Sequence, residues 1–267
     1  MLKVIAILAL AAYVTAVPAV DRVDPRIDIN GDWRVVGGSN APAGAHPFIV
    51  SLRSSAGAHL RSSAGAHFCG GSILNSMNVL TAAHCLVGRS TANTGTLAGT
   101  NTLNSGGITR GSNRLIIHAS YNPNTIANDI AVVRLSTALA MGGNVAAVSL
   151  NTANTGAVAA ILAGWGRTCT NCGIPNNLQQ LNTQTITHAA CQQRWGTLVT
   201  TLQICTLTQT GQGSCQGDSG GPLVQTSNRA QLGVVSFGHA SGCAVGWPDV
   251  YARVSSYINW ITSAVNS

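Results

Sequence analysis

From Val35 to the C-terminus the chain is cut into short runs of β-formers, and little in it reads as helix. The runs include Phe48–Leu52, Ser72–Leu74 with Val79-Leu80, Leu115–His118, Ile130–Leu135, Ala157–Ala163, Pro222–Val224 and Gln231–Phe237, separated by Gly, Asn, Ser and Pro. Many short strands at such spacing predict an all-β sandwich or barrel. Helical spacing shows at two places. Ser255-Ser256 is placed to cap an apolar face of Tyr257, Ile258, Ile261 and Val265, and a shorter turn fits Thr187–Gln193. One tandem copy stands out: Arg53–Leu60 (RSSAGAHL) recurs as Arg61–Phe68 (RSSAGAHF). A single eight-residue copy is far below solenoid periodicity and reads as a lengthened surface hairpin.

The first 34 residues are of another kind. Residues 1–16 read as a secretory signal, with Lys3, an apolar run from Val4 to Ala12, and small residues at Val14-Thr15-Ala16. A membrane helix needs about 20 apolar residues, and this run is broken by Thr15 and Pro18 and closed by Asp21-Arg22. A segment rich in Asp, Arg and Pro follows, 17–34, ending at Arg34 just before Val35-Val36-Gly37-Gly38. Secretion makes the eight cysteines a disulfide framework, and spacing alone leaves 105 pairings open. Zinc is disfavoured at Cys169-Thr170-Asn171-Cys172, because no second Cys/His pair lies at finger spacing.

Composition matters most through its acids. Only 8% of the chain is charged, against about a quarter in an average protein. There is no Glu, and after Val35 the acids reduce to Asp129, Asp218 and Asp249, against ten Arg and no Lys. Three carboxylates so isolated are not surface decoration, and each needs its own reason. The arginines are scattered singly, without the basic run or stripe that nucleic acid requires. Guanidinium also holds its charge far above pH 10, where Lys does not. That suits an alkaline fluid.

Two of the three acids stand in sequences that carry chemistry. Leu80-Thr81-Ala82-Ala83-His84-Cys85 comes first, then Asn128-Asp129-Ile130-Ala131-Val132-Val133, then Cys215-Gln216-Gly217-Asp218-Ser219-Gly220-Gly221-Pro222. A lone His or a Ser among glycines is usually structural. All three contexts in this order, with Cys beside His and near Ser, resemble the chymotrypsin-type serine peptidases. The resemblance covers essentially all of Val35–Ser267. It implies two packed six-stranded antiparallel Greek-key β-barrels, with the active site between them and a short C-terminal helix. The peptidase domain is then 35–267, preceded by the signal 1–16 and an activation propeptide 17–34.

The resemblance also distributes roles. His84 is implied as the base, Ser219 as the nucleophile and Asp129 as the orienting acid, with the N–H groups of Gly217 and Ser219 as the oxyanion hole. Asp218 is implied to capture the ammonium of Val35, freed by cleavage after Arg34. The implied disulfides are Cys69–Cys85, Cys191–Cys205 and Cys215–Cys243, leaving Cys169 and Cys172 to bridge each other locally. Substrate contacts fall on Gly213, Ser214, Gln216, Ser236, Phe237, Gly238 and Asp249. Gly213 stands where trypsin-like members carry the pocket Asp, and Asp249 stands where the family usually has Gly. The exchange resembles arthropod chymotrypsin-like and collagenolytic digestive members of broad specificity. The family usually has Trp at the position of Phe237.

The expected protein is therefore a secreted, monomeric digestive endopeptidase. Its partners are polypeptide substrates, an activating trypsin-like protease and protein protease inhibitors, with no nucleic acid, membrane or cofactor. No calcium is expected, since no carboxylate lies between Cys85 and Asp129. No Asn-X-Ser/Thr sequon is present.

Overall fold

The computed structural model describes residues 35–54, 65–207 and 209–267. The signal segment, Arg34 and most of the duplicated stretch (55–64) lie outside the described residues. In chain order the strands are β1 (Ser39–Asn40), β2 (Ile49–Ser54), β3 (Ala66–Asn75), β4 (Asn78–Thr81), β5 (Thr94–Ala98), β6 (Ile108–Ile117) and β7 (Ala131–Leu135). They continue as β8 (Ala159–Gly164), β9 (Gln179–Ile186), β10 (Gln203–Thr206), β11 (Pro222–Gln225), β12 (Gln231–Phe237) and β13 (Asp249–Arg253). The first six after β1 form a closed barrel in the order β2-β3-β4-β7-β6-β5. The last six form a second, β9-β10-β13-β12-β11-β8, closed by β8 on β9. All the pairings are antiparallel. The all-β expectation and the two-barrel architecture are both met.

Each barrel has its own apolar filling, and a third cluster joins them. Leu52, Ile73, Leu80, Val132 and Leu135 fill the first, and Leu162, Ile204, Leu223, Val235 and Tyr251 the second. Phe48 and Ile49 from the first half pack with Ile161, Trp165 and Val224 from the second. Each such side chain contributes about 1.5–3 kcal/mol when fully buried. The seam also carries buried polar bonds. Ser72 Oγ donates to Gln231 Oε1 at 2.7 Å, and Gly70 N to Ser219 O at 2.8 Å. β1 ties the N-terminal segment to β9 through the pairs Ser39↔Gln180 and Asn40↔Gln179.

The helices are short. α1 (His188–Trp195) starts on Thr187, whose side chain accepts from Ala190 N. α2 (Ile258–Asn266) buries Ile261 and Ala264. Ser255 and Ser256 do not cap it; they lie in a 3₁₀ turn, Val254–Ser256, and no side chain caps the helix. Tertiary packing overrides the local signal: Tyr257 is buried, and its hydroxyl donates to Asn128 Oδ1 at 3.2 Å, fixing the entry residue outside helical geometry. No helix among the described residues is long and apolar enough to cross a membrane.

Candidate active site

Asp129 sits at the point where the barrels meet, 2% exposed. A carboxylate so buried is stable only if its oxygens are filled, and here three donors fill them. The His84 N–H reaches Oδ1 at 2.9 Å, His84 Nδ1 reaches Oδ2 at 2.8 Å, and the Ser236 hydroxyl reaches Oδ2 at 2.6 Å. His84 follows β4 of the first barrel, whereas Ser236 lies on β12 of the second. The pair is thus held across the seam. With the proton on Nδ1, facing the acid, the free lone pair of the imidazole is on Nε2. The His84 side chain remains 28% exposed, open to the cleft.

Ser219 is presented by a turn that only glycine can complete. Gly217 has φ 103° and Gly220 φ 78°, left-handed values that side chains resist. A Cβ on Gly220 would also lie 2.2 Å from Thr81 Oγ1 and 2.7 Å from Gly70 O. The turn is pinned from both sides, Gly70 N donating to Ser219 O and Gly220 N to Val235 O. Ser219 lines a cavity of about 160 Å³ that also includes Ser214, Gln216, Ser236, Phe237, Gly238 and Asp249. Ser236 therefore touches Asp129 and shares a cavity with Ser219, which brings the three candidate catalytic residues to one place. Gly213 is not in that wall; its N–H donates to Val36 O at 3.0 Å.

The other two acids lie beneath this surface. Asp249 opens β13, 4% exposed, with Oδ2 accepting from Ser214 N at 2.6 Å. Burial pushes its pKa up to about 6, against the pull of the bonds from Ser214. Asp218 is fully buried, with Oδ1 accepting from Gly166 N at 2.8 Å and Oδ2 from Cys215 N at 2.9 Å. Burial raises it to about 7, against those bonds. Gly164 and Gly166 make room: a Cβ on either would fall 2.1 Å from a carboxyl oxygen of Asp218. Val35 is buried in the second barrel's core with Leu162 and Leu181.

Four disulfides frame the site. Cys69–Cys85 tethers the His84 segment to β3, and Cys215–Cys243 closes the cavity wall. Cys191–Cys205 joins α1 to β10, and Cys169–Cys172 closes a local turn. Among the described residues, one group has metal-ligand spacing, Cys69, His84 and Cys85. Its two sulfurs are bonded to each other, so it offers no thiolate.

Two further residues support the turn from behind. His67 Nε2 bonds Gly217 O at 2.9 Å, and its Nδ1 meets Ser51 Oγ at 2.8 Å. Burial pushes the imidazole down to about 4, so at neutral pH it carries a single N–H. Nε2–H then donates to the carbonyl while Nδ1 accepts from Ser51. This fixes the peptide that carries the N–H of Asp218.

Comparison with known proteins agrees with this geometry. The profile of the Trypsin family matches residues 35–261. Chymotrypsin-2 of Vespa crabro is 43% identical over 230 residues, covering 85% of this chain and 98% of that protein. Trypsin alpha-4 of Lucilia cuprina is 39% identical, and trypsin alpha of Drosophila melanogaster 38%, each over 88% of this chain and 89% of the relative. The chain belongs to the trypsin family of serine endopeptidases.

Proposed function

We propose that this endopeptidase is made as a secreted zymogen, is activated by cleavage after Arg34, and cuts bulk dietary protein through His84, Asp129 and Ser219. The observation that carries the reading is Asp129, filled by three donors and holding His84 with its base nitrogen free, beside a cavity lined by Ser219. In the first step His84 Nε2 takes the Ser219 hydroxyl proton as Oγ bonds the substrate carbonyl carbon. The N–H groups of Gly217 and Ser219 receive the resulting oxyanion. His84 then gives its proton to the leaving nitrogen, the C–N bond breaks, and an acyl-enzyme remains. Water repeats the sequence and frees Ser219. Cleavage at Arg34 supplies an ammonium on Val35 for buried Asp218, whose neighbours Gly217 and Ser219 form the oxyanion hole.

This reading is tested with a serine-directed fluorophosphonate. After tryptic cleavage at Arg34 the probe labels Ser219, whereas Ser219→Ala stays unlabelled. An activated chain that remains unlabelled sinks the proposal.

Specificity follows from where the third acid lies. With Gly213 out of the wall and Asp249 at its side, the cavity takes large apolar P1 residues such as Leu, Phe and Tyr. It also meets the tip of Arg or Lys. Asp249 already accepts from Ser214, so the cation gains less than it would from an unpaired acid. Asp249→Gly is expected to cut kcat/KM for Arg at P1 by about tenfold or more, the scale of a charge-assisted hydrogen bond, while changing Phe little. An unchanged Arg/Phe ratio would remove Asp249 from the pocket. An acidic environment mimics the substitution, because protonation of Asp249 near pH 6 discharges it and lowers the Arg/Phe ratio.

A further inference from the structure

A second cavity, about 380 Å³, lies on the other side of Gly217. The two cavities share no lining residue. Gln216 and Ser219, the chain neighbours of Gly217 and Asp218, line the first. His67, bonded to Gly217 O, and Ile174, whose Cδ1 would meet a Cβ on Gly217 at 2.9 Å, line the second. A peptide that puts its P1 side chain into the first cavity and its scissile carbonyl at Gly217 therefore sends its leaving half toward the second.

The wall of this second cavity contains Arg53, 6% exposed, near the end of β2. Its Nε and Nη1 are out of solvent and have no hydrogen-bond partner among the described residues. A guanidinium stays charged in proteins, and a buried charge without a partner is strongly unfavourable. Among the described residues no carboxylate is free to meet it. After Val35 the only carboxylate side chains are Asp129, Asp218 and Asp249, all committed to other partners. The terminal residue Ser267 is held by Arg114 and Arg134. Within the cavity, Asn176 Oδ1 already accepts from Asn104 N. The rest of the lining includes Leu103, Ile174 and Pro175 beside His67 and Asn104.

We propose that Arg53 makes this cavity a carboxylate subsite for the leaving half of the substrate, one that selects peptides acidic just beyond the scissile bond. The inference rests on peptide passing across Ser219. The carboxylate is either a Glu or Asp side chain or the free end of a short peptide, and the test separates the two.

Internally quenched peptides with Leu at P1 would carry Glu or Gln at each of the first three leaving-group positions. A parallel set would end at the third of these as free acid or amide. Rates on activated enzyme are normalised to sites titrated with fluorophosphonate. Glu is expected to exceed Gln by about tenfold or more in kcat/KM at one position, the range for hydrogen bonds to charged groups. A preference for free acid over amide without a Glu preference supports the same subsite, with the peptide's own terminus as its guest. In Arg53→Met either ratio falls to about one, and Arg53→Lys, which keeps the charge but loses the fork, retains part of it. Equal rates for Glu and Gln together with equal rates for acid and amide overturn the proposal on the wild-type protein alone, even if Arg53→Met fails to fold. A ratio that survives Arg53→Met overturns it as well. Failure to cut any peptide counts instead against the catalytic reading.

Discussion

Asp129→Asn is expected to lower kcat by about 10⁴ with the fold intact, the cost this exchange carries in a Ser-His-Asp triad. The hydrogen bonds around the carboxylate explain why so small a change costs so much. Oδ1 accepts from the His84 backbone N–H and Oδ2 from the imidazole and Ser236. An amide has one acceptor oxygen and one donor nitrogen. The backbone N–H cannot turn away, so the amide oxygen of the variant takes the Oδ1 position and its NH₂ takes the other. That NH₂ then faces Nδ1 of His84, which must give up its proton and become the acceptor. The imidazole proton moves to Nε2, where the free lone pair is needed. Ser236 can rotate its hydroxyl to accept, so packing is kept and the loss falls on chemistry.

The expected signature is a collapse of kcat with KM nearly unchanged and a parallel collapse in fluorophosphonate labelling. Thermal unfolding should shift by only a few degrees. Residual activity within tenfold of wild type would show that Asp129 does not set the tautomer. Loss of the folded state would mean that the carboxylate is needed to hold the barrels together, not to orient the base.

Parts of this site were legible because they are contiguous in sequence. The Gly-rich turn at Ser219 is written in Gly217, Gly220 and Gly221, and the scarcity of acids singled out Asp129, Asp218 and Asp249 before any fold was known. What stayed hidden depends on residues far apart in the chain. Ser51 and His67 carry no local mark of the relay in which Ser51 bonds His67 and His67 bonds Gly217, 150 positions further on. Ser236 read as an edge for substrate, and its bond to Asp129 exists only because β12 of the second barrel meets the segment that leads into β7 of the first. Arg53 read as one scattered cation among ten. Its lack of a partner follows from burial, which a sequence does not state. The Ser255-Ser256 signal failed because a buried Tyr257 outweighs a cap.

Asp218 should make the uncleaved chain lose stability as pH rises, and cleavage after Arg34 should remove that loss. The sign follows from its raised pKa. Unfolded, the carboxyl titrates near 3.9; folded and fully buried, it titrates at about 7. Between those values the folded state binds the extra proton, so stability falls with rising pH across about pH 4 to 7 and levels off above. The gap of about three pH units corresponds to roughly 4 kcal/mol at most. A buried carboxylate above pH 7 therefore needs a cation, and the described residues of the uncleaved chain place none beside it. Under the proposed activation the new ammonium of Val35 would supply one, lowering the pKa and turning the penalty into an ion pair. Asp218→Asn in the uncleaved chain should flatten the pH dependence of urea unfolding. In the cleaved chain the same substitution should cut kcat by about 10² to 10³, the cost of losing an oxyanion-hole donor, because the peptides on either side are no longer held. Identical pH slopes for wild type and Asp218→Asn before cleavage would remove Asp218 as the titrating group. A cleaved variant within tenfold of wild-type kcat would remove it as the element that couples the new terminus to the oxyanion hole.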